Sequence, residues 1–121
     1  IASLNAPPTP NSATARDRAV LMAAIAQGRA ASDSSSAIML TILSQQQFRA
    51  GIPAGIPPGT RVASKTGNIT GVNHDAAVIF PPARPPYVLV VLTRGFQSPG
   101  AAEAYMAAVS RAVWTGLVGV P

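Results

Sequence analysis

Arg61-Val-Ala-Ser-Lys-Thr-Gly-Asn-Ile-Thr-Gly71 leads directly into Val72-Asn-His-Asp-Ala-Ala-Val-Ile-Phe80, and a proline-rich link then leads to Tyr87-Val-Leu-Val-Val-Leu-Thr93. These runs decide the fold. They predict three strands, over 61–66, 75–80 and 87–93. The last two are almost continuously apolar and β-branched, the pattern of strands covered on both faces. The links, Gly67 to His74 and Pro81-Pro-Ala-Arg-Pro-Pro86, are short and favour antiparallel neighbours.

Helical patterns flank the strands. Thr14-Ala-Arg-Asp17 reads as a capping box opening a helix that runs to about Gln27 and stops at Gly28. Its apolar side is Ala19, Leu21, Met22, Ile25 and Ala26. Ser32 or Asp33 caps a second helix, about 34–48, with Ile38, Met39, Ile42 and Leu43 at helical spacing and Phe48 at its end. Gly51-Ile-Pro-Ala-Gly-Ile-Pro-Pro-Gly59 is too rich in breakers for an element and reads as a connecting loop over 49–60. A closing helix over 99–118 sets Ala102, Tyr105, Met106, Val109, Val113 and Trp114 on one face, with Tyr105 and Trp114 as core anchors. Residues 1–13, with Pro7, Pro8 and Pro10, read as an extended segment. The order αα-βββ-α is an α+β fold: one domain, an antiparallel sheet of three strands covered by helices.

Composition narrows the function classes. At 48% hydrophobic and 11% charged, the 121-residue chain is too apolar for disorder. No apolar run approaches a membrane span. The chain does not begin with Met and shows no signal peptide, which suggests a processed product or a fragment. The net charge of +5 comes from nine Lys and Arg scattered singly, and the few aromatics do not interleave with them, so no nucleic-acid partner is expected. There is no cysteine, and the one histidine, His74, has no second ligand at metal spacing. No metal and no cofactor are expected. His74 and Asp75, adjacent on a strand, point to opposite faces and cannot share a triad. Asp75 is expected to hold the turn into its strand.

The chemistry concentrates at Lys65-Thr66-Gly67. Ser64 and Thr66 flank Lys65 and share the opposite strand face. Lys65 can neutralise a carboxylate or steady a nearby serine, and Thr66 can donate to a carboxylate. Gly67, without a side chain, lets a ligand lie against the strand edge.

The run S-K-T-G-N-I-T-G-V-N-H-D-A-A-V-I-F-P-P, followed by an apolar strand and an amphipathic helix, resembles the C-terminal half of the class A β-lactamase and penicillin-binding family. There K-T-G borders the active site. The next strand commonly reads D-x-A-V-x-x-P-P, matched by Asp75 to Pro82, and Thr14 to Asp17 matches a T-x-R-D helix start. The resemblance covers about residues 11–118. It implies the C-terminal part of a β-lactamase or transpeptidase-like fold, with Lys65 catalytic and Ser64, Thr66, Gly67, Asn68, Asn73 and His74 binding substrate. The Asn68 amide would serve an oxyanion. Where many relatives place an arginine, this chain has Val72-Asn73-His74, so Asn73 or His74 would substitute. An extracytoplasmic location is also implied.

The departures bear on activity. No Ser is followed three residues later by Lys, so the family's S-x-x-K nucleophile motif is absent, as is S-D-N; Ser32-Asp33-Ser34 reads better as a helix cap. If Ile1-Ala-Ser-Leu4-Asn5 aligns with the family's E-x-x-L-N, Ile1 stands where the deacylating Glu belongs and cannot act as a base.

Three readings follow. The first is the C-terminal half of a serine hydrolase that takes a β-lactam or related amide or ester and is inactive alone. The second is a cell-wall-peptide hydrolase or a binder without turnover. The third is a structural module, which an upstream S-x-x-K and S-D-N would exclude. The expected partner is the N-terminal half of the same domain or a swapped copy, because an unpaired edge along 87–93 invites pairing.

Overall fold

The computed structural model describes residues 12–119. The register that sets Ile1 against a catalytic Glu, and most of the extended N-terminal segment, lie outside them.

Helix α1 (Ala15–Ala26) opens on the expected capping box: Thr14 Oγ1 accepts from the Asp17 amide at 3.1 Å, and the Thr14 amide donates to Asp17 at 2.7 Å. These Thr14 bonds hold the Asp17 carboxyl below its ordinary pKa. Helix α2 (Asp33–Ser44) takes Ser32 as its cap. A 3-10 turn (Ile52–Gly55) follows, then β1 (Arg61–Ile69), β2 (Val72–Phe80), β3 (Tyr87–Arg94) and α3 (Pro99–Leu117). The strands pair antiparallel in the order β1-β2-β3.

The sheet separates two cores. On one face, Ile52, Ile56, Val62, Ala77, Ile79 and Trp114 pack between the sheet and α3. On the other, Met22 and Ile25 of α1 meet Ala63 and Val78, with Met39, Leu40 and Leu43 of α2 beside them. The period-2 alternation of β1 and β2 supplies both: Val62, Ala77 and Ile79 face α3, while Ala63 and Val78 face α1 and α2. Arg61 joins the layers, donating to Ser44 Oγ at 3.1 Å with its guanidinium 4.7 Å from the Phe80 ring centroid. The 3-10 turn lies so close to α3 that a Cβ on Gly55 would stand 2.2 Å from the Ala107 carbonyl oxygen.

Several expectations change. The link between the first two strands is the pair Thr70-Gly71, not the longer Gly67–His74. Gly71, with φ of 71°, makes the tight turn, and both strands extend to meet it. Helix α2 stops at Ser44, so Phe48 is off the helix and 74% exposed. The Gly/Pro loop contains an element after all, because Ile52 and Ile56 must reach the α3 core. Tyr105 is 51% exposed and meets Phe96 in a tilted pair, with ring centroids 5.4 Å apart; Trp114 alone is the aromatic anchor of α3. Leu21, Ile38 and Ile42 sit at helical spacing yet are exposed. Strand β2 is covered on both faces, but β3, at the sheet edge, is mostly half-buried.

Candidate functional site

Lys65 lies in β1 opposite Ala76 of β2, and its side chain is exposed on the α1 side of the sheet. Its Nζ donates to the Thr66 carbonyl. Gly67 pairs with His74 two positions on, so Lys65, Gly67 and His74 share that face. They line one cleft of about 210 Å³, with Thr66 at its rim. Arg18 of α1 reaches the same cleft, and Leu21, Met22 and Leu92 give it an apolar wall.

The other sequence-predicted residues lie elsewhere. Ser64 is fully buried on the α3 side, and its Oγ has no partner. Asn68 is exposed opposite Asn73, which is 3% exposed and on the face away from Lys65. The Asn73 carbonyl accepts from Thr93 Oγ1 at 2.5 Å. His74 Nδ1 accepts from the Thr93 amide at 3.1 Å, which fixes the ring against β3. Of the two substitutes for an arginine, His74 therefore stands beside Lys65 and Asn73 does not.

Two residues at the site were missed. An arginine on an exposed helix turn carries no spacing signal, so Arg18 was invisible as a cleft residue. Asp75 was read as holding a turn but is a 1% exposed carboxyl in mid-strand, facing Thr66 across the register. Its Oδ2 accepts from the Ile52 amide at 2.9 Å, and Oδ1 has no partner. Burial pushes Asp75 up to about 6, against the opposing pull of the Ile52 and Ala76 amides and the Lys65 charge. Gly51 permits this contact, since a Cβ there would stand 2.7 Å from Asp75 Oδ2.

The arrangement can hold an anionic group against two cations beside an exposed strand edge: among the described residues β1 pairs only with β2. No nucleophile and base converge there. By strand alternation Ser64 is turned away from Lys65, and the His74 and Asp75 side chains leave β2 on opposite faces although both residues border the cleft. Among the described residues no group of three His, Cys, Asp or Glu could hold a metal, and no helix is long and apolar enough to cross a membrane.

Residues 2–117 match the model of the beta-lactamase enzyme family. A β-lactamase from Streptomyces lavendulae is 41% identical over 56 residues, 46% of this chain and 17% of that protein. Among solved structures, the β-lactamase from Sphaerobacter thermophilus superposes with a TM-score of 0.83 at 34% identity, covering 95% of this chain and 45% of that one. PBP-A superposes at 0.77 and 31% identity over 87% of this chain and 40% of its own. The class A β-lactamase from Mycobacterium abscessus gives 0.75 at 27% identity, over 84% of this chain and 40% of its own. The chain thus spans less than half the length of these relatives. With an antiparallel sheet between α1–α2 and α3, and with nearly its whole length matched, the chain belongs to the beta-lactamase enzyme family.

Proposed function

We propose that this chain forms the substrate-binding wall of a serine β-lactamase-like hydrolase whose attacking serine lies on polypeptide beyond these 121 residues. The observation that carries this reading is the cleft shared by Lys65, Gly67 and His74 beside the edge of β1 that is unpaired among the described residues, in a chain of this family. Lys65 neutralises the substrate carboxylate and steadies the serine. Thr66 donates to the carboxylate from the rim, and His74 takes the second place. Gly67 keeps the strand edge open, and the Asn68 amide faces the oxyanion. The absence of S-x-x-K from the 121 residues, and their span of 45% of the Sphaerobacter enzyme, support a nucleophile supplied from elsewhere.

The substrate class is a β-lactam or the related cell-wall peptide. A variant of PBP-A, to which this chain is similar at a TM-score of 0.77, was solved as its acyl-enzyme with penicillin G. That likeness also favours a second reading, a penicillin-binding protein that acylates and deacylates slowly. The two separate kinetically: slow deacylation gives a burst equal to enzyme and then a stall. Either substrate is met outside the cytoplasm, so an extracytoplasmic location is part of the proposal. The partner is the N-terminal half of the domain, or a swapped copy, seated against exposed Val20, Leu21, Ile38 and Ile42 and the outer edge of β3.

The test is penicillin binding by the native polypeptide and its Lys65→Ala variant. Loss of binding with an unchanged denaturation midpoint supports the wall; unchanged binding refutes it.

A further inference from the structure

Phe48, 74% exposed, lies in the segment that joins α2 to the 3-10 turn. Its place is set from both sides. Arg61 ties the end of α2 to β1 through Ser44, and Asp75 ties Ile52 to β2. Between these ties the Phe48 amide donates to Gln46 Oε1 at 3.1 Å. An exposed apolar residue needs no explanation by itself, since single ones are common on surfaces. What Phe48 borders is the informative part.

Phe48 shares a small cavity with Thr66 and Asn68 of β1 and with Glu103 and Met106 of α3. Thr66 and Asn68, two positions apart, leave the strand on one face. In the binding-wall reading Thr66 donates to the substrate carboxylate and the Asn68 amide faces the oxyanion. The Phe48 ring thus stands at the carboxylate end of a substrate laid along β1. It does not line the Lys65 cleft. One side of β1 therefore offers positive charge, and the other offers an aromatic face.

Size and charge narrow what that face takes. The cavity, about 30 Å³, has the volume of a single water, so a substrate group lies over its mouth and against the ring rather than inside. An aromatic face favours another flat, apolar group in an offset or tilted contact. Half-buried Glu103, at the same cavity, disfavours a negative one. In a cephalosporin, the ring carbon next to the carboxylate-bearing carbon carries a variable substituent, at the end where Phe48 stands.

We propose that Phe48 is a specificity-determining residue of the binding wall, its ring packing against a flat, neutral group on the ring carbon next to the substrate carboxylate. This inference rests on the binding-wall reading.

The test measures acylation rates of the native polypeptide with two cephalosporins that share one acyl side chain. One carries hydrogen on that ring carbon and the other a phenylvinyl group. Phe48→Ala should slow the phenylvinyl compound about tenfold and leave the hydrogen compound within about twofold. Phe48→Tyr, which keeps the ring, should retain the preference. The denaturation midpoint of Phe48→Ala should not move, because the side chain is exposed. Equal slowing of both compounds overturns the proposal and makes Phe48 a contact of the fold or of the missing half. No slowing of either also overturns it. Lys65→Ala, run beside them, should slow both compounds alike. If it slows neither, the binding-wall reading fails and this inference with it; if it slows both while Phe48→Ala does not discriminate, only the role of Phe48 falls.

Discussion

Asp75 Oδ2 accepts a 2.9 Å hydrogen bond from the amide of Ile52, 23 positions earlier, and so ties the middle strand to the 3-10 turn that precedes β1. The same residue is the cross-strand partner of Thr66, one position from Lys65. Binding wall and scaffold thus meet at one buried acid.

That acid makes stability depend on pH. Its pKa in the folded protein is about 6, above the ordinary 3.8, so folding favours the protonated form. The contribution is fully present below about 3.8 and is lost as pH rises through about 6. A shift of this size corresponds to about 3 kcal/mol as an upper scale. Urea denaturation should give a lower midpoint at pH 7.5 than at pH 5. Asp75→Asn keeps an acceptor for Ile52 and should flatten that difference. An unchanged pH slope in the variant would assign the effect to another group.

Gly55→Ala should destabilise the protein by about 2 kcal/mol or more, since overpacking a rigid contact commonly costs 1–3. The new methyl would meet the Ala107 carbonyl oxygen at 2.2 Å and Ser110 Cβ at 2.7 Å, neither of which can move without displacing α3. A melting temperature within a degree of the original would show that the turn and α3 are not in the contact described.

Gly67→Ala separates binding from folding. No atom lies within 4 Å of a Cβ built there, and the backbone does not need positive φ. The variant should melt with the original protein yet bind penicillin at least tenfold more weakly, because the methyl occupies the strand edge where the ligand lies. Equal binding by both would remove Gly67 from the site.

Ala83 is the one described non-glycine residue with positive φ, 58°, inside the link Pro81 to Pro86. A left-handed L-residue costs about 1–2 kcal/mol, and glycine returns some of that gain as unfolded-chain entropy. Ala83→Gly should therefore stabilise by about 0.5–1 kcal/mol, measured by chemical denaturation. Destabilisation would mean that the surrounding prolines relieve the strain.

Much of the fold was legible because burial alternates along a strand. The apolar runs between Arg61 and Thr93 gave three strands, and the short links between them gave the antiparallel pairing. Thr66 opposite to Lys65 followed from the same alternation. The tight Thr70-Gly71 turn was hidden because Gly67, Asn68, Thr70 and Asn73 all look like loop residues, and only pairing shows which stay in the ladder. Phe48 failed because α2 stops four residues before it, and Tyr105 because helical spacing says which residues share a face, not whether anything covers it. The Asp75–Ile52 bond and the shared cleft of Arg18 and Lys65 join segments far apart in the chain, and no local pattern encodes them.

The most direct test is to incubate the native polypeptide with penicillin G, digest it and map the acylated residue by mass spectrometry. The binding-wall reading predicts one adduct, on a serine outside residues 1–121, and its loss or slowing in Lys65→Ala. An adduct on any residue within Ile1 to Pro121 would contradict it.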